Sequence, residues 1–216
     1  DGKENHDSRV RKTQEYIDEK LPDKGWVVQP DDSDRHMTVY TNDETNELVL
    51  AHKGTNIRSF QDIQADLMIA LGAERKDKVF KLRKTKTENI LKKYPDKIAS
   101  GSGHSLGSST LYHAAVTSPY IEKRMQKIDL YNPGVSPLTE KIRPTKHKSM
   151  RRKTTIHRTT EDPVSASSLF QGMAAKVKRY ATKEEHKSIP RRILTHALKY
   201  GFMEKALKSH SIENFI

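Results

Sequence analysis

The sequence predicts an α/β protein in which strands alternate with helices around a mostly parallel central sheet flanked by helices. Three observations point there. Six short β-type runs, at 25–29, 37–41, 48–51, 97–102, 127–131 and 154–159, are bounded by turn residues such as Pro30-Asp31-Asp32 and Asn132-Pro133-Gly134. Helical spacing of apolar residues falls between and after them, at Phe60, Ile63, Leu67 and Leu71, at 74–93, at 106–117, and at Ile193 to Phe202. Finally, Gly103-His104-Ser105-Leu106-Gly107 stands where one of the strands meets one of the helices.

Taken in order, residues 1–24 form a polar N-terminal arm with a short helix, and residues 25–216 form one α/β domain. Segment 57–71 carries core-like spacing and a polar face, which suits either a movable lid or a fixed amphipathic surface helix. Residues 74–93 read as a mostly solvated helix and 141–153 as a charge-biased loop. The strand at 97–102 follows the turn Tyr94-Pro95-Asp96, and the helix at 106–117 stops at Ser118-Pro119.

Composition narrows the function classes. A chain of 216 residues can bury one sizeable core. No run approaches the roughly 20 apolar residues of a membrane span, so a soluble or peripheral protein is expected. The chain opens on Asp1-Gly2-Lys3 without a methionine or a secretory leader, as an excised piece would. It has no cysteine, which excludes disulfides, thiolate ligands and a cysteine nucleophile. Histidines and carboxylates show no metal-ligand spacing, so neither a metal nor a cofactor is expected. The net charge is +12, and residues 141–210 hold eighteen basic against five acidic residues. Such a segment suits an anionic membrane surface, a phosphate-bearing substrate, nucleic acid, or simple solubility.

The pentapeptide at 103–107 is the most informative feature. Gly-x-Ser-x-Gly between a strand and a helix exposes a serine on a strained turn, and the glycines let strand and helix pass without a Cβ between them. With it go four further stretches: Lys53-Gly54-Thr55 after the run 48–52, Leu130-Tyr131-Asn132-Pro133-Gly134, Glu161-Asp162-Pro163-Val164, and His210 ahead of Phe215. Together they resemble the class 3 lipases, the fungal-lipase-like branch of the α/β-hydrolases, over roughly 48–215. Two positions depart from that pattern: Lys53 stands where the family has arginine, and Ser108-Ser109 replace smaller residues, which would set the helix slightly farther from the sheet.

The resemblance implies an α/β-hydrolase fold and a triad of Ser105, Asp162 and His210, in the chain order expected of that fold. A serine hydroxyl is a weak nucleophile unless a base takes its proton. His210 would do so, and Asp162 would fix the imidazole tautomer. The backbone N–H of Leu106 and, by resemblance, Thr55 would form the oxyanion hole. On residue type alone, Asp162 before a proline also suits a turn, and His157, His186 and His196 remain rivals to His210. The implied activity is cleavage of carboxylic esters, acylglycerols or phospholipids, through an acyl-enzyme. A soluble esterase or thioesterase is an alternative, as is a non-catalytic basic module that holds membrane or nucleic acid.

Overall fold

A computed structural model of the chain describes residues 2–20, 25–54, 73–133, 148–159 and 174–180, with side chains from residue 6 in the first segment and residue 80 in the third. They form α1 (Gly2–Lys20), β1 (Trp26–Val28), β2 (Met37–Asn42), β3 (Glu47–His52), α2 (Ala73–Lys93), β4 (Ile98–His104), α3 (Leu106–Thr117), α4 (Pro119–Arg124), β5 (Met125–Tyr131), α5 (Lys148–Lys153), β6 (Thr154–Thr159) and β7 (Lys176–Tyr180). The helices expected near 60–71 and 193–202 lie outside these residues.

All seven strands join one sheet in chain order. β1, β2 and β3 pair antiparallel, and β3 to β7 run parallel. The expected α/β architecture with a mostly parallel, helix-flanked sheet is therefore what the chain adopts. The parallel strands advance in a single direction, so right-handed crossovers bring their connections to one face. Accordingly α2, α3 and α4 pack on one another, and α3 lies across β3, β4 and β5.

Strand alternation sorts the two faces. Leu48 and Leu50 of β3, Ala99 of β4, Ile128 and Leu130 of β5 and Ile156 of β6 are buried in one cluster with Leu111, Tyr112, Ala114 and Ala115 of α3. The register sets Val49 beside Ser100, Ser102 beside Asp129, and Tyr131 beside His157 on the opposite face. That second face is polar.

Several elements differ from the sequence expectation for identifiable reasons. α1 is a nineteen-residue helix, and it docks through a glutamine that acts like a strand. Gln14 Nε2 donates to the Trp26 carbonyl at 2.8 Å, and its Oε1 accepts the Val28 N–H at 2.8 Å. The free side of β1 is thereby partly satisfied.

α2 turns Phe80, Arg83, Thr87, Ile90 and Leu91 inward, whereas Leu82 is 66% exposed. Two polar members interrupt that stripe, which is why its apolar periodicity reads as a solvated helix. Residues 148–153, assigned to a loop, are helical as α5. Ser118-Pro119 ends α3 as expected but also starts α4, with Ser118 Oγ accepting the Ile121 N–H. β7 is exposed along most of its length and rich in cations, so no alternation marks it in the sequence.

Candidate active site

β3 to β6 are parallel, so their carboxyl ends share one edge of the sheet. Ser105 lies on that edge, between the last residue of β4 and the first of α3. Its backbone has φ 53° and ψ −124°. An L-residue rarely adopts that conformation, at a cost of about 1–3 kcal/mol. Ser105 N–H donates to the Tyr131 carbonyl at 3.0 Å, which ties the turn to β5.

The flanking glycines are required by contact. A Cβ on Gly107 would fall 2.2 Å from the His52 carbonyl oxygen, and one on Gly103 would fall 2.7 Å from the Ser108 backbone. The helix thus crosses the ends of β3 and β4 at backbone distance, which corrects the expectation that Ser108 and Ser109 hold it away. Both serines are buried, and Ser108 Oγ turns inward to donate to the Gly103 carbonyl.

Leu106 opens α3. The first N–H groups of a helix have no partner within it and carry the positive end of its dipole. Gly54 comes against the same turn, since a Cβ there would meet His104 O at 2.8 Å and Ser105 Cβ at 3.1 Å. Thr55, the next residue, lies outside the described residues, as do Asp162 and His210. Their role in the site therefore stands as an expectation from the sequence. The structure describes the chain up to Gly54, Thr159 and Tyr180 on the approaches to these three residues.

The described histidines have other engagements. His157 Nε2 pairs with Asp129 Oδ1 at 2.8 Å, and its Nδ1 meets Tyr180 Oη at 2.9 Å. With both nitrogens engaged and the ring stacked on Tyr131 at 4.5 Å, His157 is not arranged to serve Ser105. In that cluster the His157 and Lys127 hydrogen bonds hold the Asp129 pKa below its ordinary value, against the upward pull of burial.

His52, at the end of β3 below the Ser105 turn (the elbow), is buried, and its Nε2 makes a long 3.4 Å contact with Thr87 Oγ1. That hydroxyl donates to the Arg83 carbonyl at 2.8 Å, so it can engage His52 only by accepting from a tautomer protonated on Nε2. Burial, aided by the Arg83 charge, pushes the His52 pKa down to about 3. His36 lies 3.2 Å from an Arg83 nitrogen, and His113 stacks edge-on against Phe80.

Sequence reasoning missed two groups. One is the Asp129, His157 and Tyr180 cluster on the polar face, whose members come from three strands. The other is Arg83, whose signal was a cation at the i+3 position of an otherwise buried helical stripe.

No protein-family model matches the chain, and no curated protein sequence matches at a significant level. Among solved structures it is similar to the Lip2 lipase of Yarrowia lipolytica, at 11% identity and a TM-score of 0.47, covering 71% of this chain and 67% of that one. It is also similar to a lipase of Rhizopus microsporus var. chinensis, at 18% identity and a TM-score of 0.44, covering 69% and 57%. A third similar structure is a mutant form of MDLA from Penicillium cyclopium, at 17% identity and a TM-score of 0.40, covering 70% and 60%. The chain spans between 57% and 67% of the length of these three.

Two outcomes test the site's physics. Ser105→Gly relieves a strain of about 1–3 kcal/mol, less about 0.4–1 kcal/mol for the freer unfolded chain, and is expected to raise stability by the remainder, about 0.5–2 kcal/mol, in urea unfolding. Ser105→Ala keeps the Cβ and should show no such gain. The second concerns His52, whose folded pKa of about 3 lies below the ordinary imidazole value of 6.5. Between those values the unfolded chain binds the extra proton, so stability falls as pH drops from 6.5 toward 3, with a limiting slope of about 1.4 kcal/mol per pH unit. In His52→Gln that component should vanish, so the difference between the two urea-midpoint curves should be pH-dependent only in that window.

Proposed function

We propose that this chain is a serine hydrolase that cleaves carboxylic esters of lipids through an acyl-enzyme intermediate. The observation that carries the reading is the conformation of Ser105, a non-glycine residue at φ 53° between two glycines whose Cβ atoms would collide with backbone. Strain at such a turn is maintained when it presents a side chain for chemistry.

In the proposed mechanism Ser105 Oγ attacks the ester carbonyl as His210 Nε2 accepts its proton. Asp162 holds the other ring nitrogen and stabilises the imidazolium. The negative oxygen of the tetrahedral intermediate is received by the N–H of Leu106 and by Thr55. His210 returns the proton to the leaving alcohol, and water then repeats the sequence on the acyl-enzyme. The parallel strands support this assignment. β4 and β6 are two places apart in the sheet, hence about 10 Å, and Asp162 follows Thr159 by three residues, a reach of about 10 Å.

The proposed substrates are acylglycerols or phospholipids presented at an anionic membrane surface. Among the described residues no helix is long and apolar enough to cross a membrane. Arg151 and Arg152 of α5 and Lys176, Lys178 and Arg179 of β7 are exposed. Arg151 also accepts the Ala175 N–H on its carbonyl at 2.8 Å, so the two basic elements adjoin.

A fluorophosphonate probe is expected to label the wild type and not Ser105→Ala. Ester turnover should drop by about 10⁴-fold or more in Ser105→Ala, Asp162→Asn and His210→Ala. Labelling that survives in Ser105→Ala would show another nucleophile. Vesicle binding should rise with the anionic lipid fraction and weaken with salt. Binding indifferent to both would remove the membrane part of the proposal.

A further inference from the structure

Arg83 sits in the middle of α2, only 7% exposed. Its Nη1 donates to the Lys53 carbonyl at 3.0 Å and to Thr110 Oγ1 at 2.9 Å, and its Nη2 lies 3.2 Å from His36 Nδ1. Each contact leads toward the elbow. Lys53 and Gly54 are the two residues between β3 and Thr55, and the Lys53 N–H is held in turn by the His36 carbonyl at 2.8 Å. Lys53 is thus held through both its N–H and its carbonyl. Thr110 belongs to the opening turns of α3 and donates to the Gly107 carbonyl at 3.0 Å. One guanidinium nitrogen therefore joins the backbone leading to Thr55 to the helix whose first N–H belongs to Leu106.

An oxyanion hole works only if its donors are fixed relative to one another before the charge forms, to within about 0.5 Å. We propose that Arg83 is the positioning residue that fixes the Lys53–Gly54 backbone, which comes against Ser105, relative to the start of α3 where Leu106 offers its N–H, an inference that rests on the ester-hydrolase reading above. Its charge adds to the effect. Among the described residues no carboxylate forms an ion pair with Arg83, Asp34 acting on it only at longer range, and its Nε has no partner. Burial lowers its pKa, yet a guanidinium keeps its proton in proteins. An apolar side chain could brace α2 against β3 without burying a cation. A positive charge behind the elbow favours a negative oxygen in front of it.

The test compares Arg83→Met and Arg83→Lys in the full chain, with Lys84→Met, one residue along the same helix, as the control. The substrate is a soluble p-nitrophenyl ester, and the second readout is affinity for a boronic acid that forms a tetrahedral anionic adduct on the serine. Arg83→Met is expected to lower kcat by about tenfold to a hundredfold, below the 10²- to 10³-fold effect of losing a donor outright. KM should stay within about twofold and boronate affinity should fall in step with kcat, with Arg83→Lys between the extremes. Unchanged kcat, or reduced kcat with undiminished boronate affinity, would overturn the assignment.

Should Arg83→Met fail to fold, Thr110→Val removes the helix-side anchor and is expected to show the same pattern at smaller size. A folded Thr110→Val with wild-type kinetics would then count against the assignment. A wild type that neither turns over ester nor labels would sink the hydrolase reading and this inference with it. An active wild type with indifferent variants would sink the inference alone.

Discussion

The described site depends on the backbone contact between the start of α3 and the end of β3. A single added methyl at Gly107 would lie 2.2 Å from the His52 carbonyl oxygen, so the helix seats only because that methyl is absent. Once it is seated, the turn before it has little freedom. Ser105 is held by its N–H on Tyr131 and by the helix that follows, and the remaining conformation is the strained one. Strain of this kind persists where surrounding contacts outweigh it, and here those contacts come from three neighbouring strands.

Beneath the turn the protein does something that hydrophobic patterning alone would not anticipate. His52, Arg83 and Thr87 are all buried, and together they fill the space between β3 and α2 with polar groups. The arrangement is affordable because most of the groups are matched: Thr87 bonds the Arg83 carbonyl, and Arg83 bonds the Lys53 carbonyl and Thr110. His52 stays neutral through its depressed pKa, which avoids a second buried positive charge next to the guanidinium. Directional bonds, in place of side-chain packing, thus fix the backbone entering the site, and they resist small displacements better than apolar contacts do.

The other face of the sheet has a separate organisation. His157 links Asp129 of β5 to Tyr180 of β7 across its own strand. β7 is otherwise exposed, so this chain of hydrogen bonds and the stacked rings of Tyr131, His157 and Tyr180 contribute much of its attachment beyond the ladder. The same bonds occupy both nitrogens of a histidine that residue type alone would offer as a base.

What the sequence by itself determined was local. The strands read at 37–41, 48–51 and 127–131 were legible to within two residues because turn residues bound at least one end of each. The strand at 154–159 was legible because of its β-type run after a basic loop, and the helix at 106–117 because its stop signal is unambiguous. The glycines at 103 and 107 announced a close crossing, and the serine between them followed from spacing. The tertiary structure decided everything that depends on residues distant in the chain. It set the chain-order sheet with α2, α3 and α4 packed together. It turned Arg83 and Thr87 inward, committed His157 to Asp129, and brought Gly54 against Ser105. A polar residue's burial depends on whether a partner waits across the fold, and that partner, thirty residues away for Arg83 and Lys53, leaves no periodic trace in either segment.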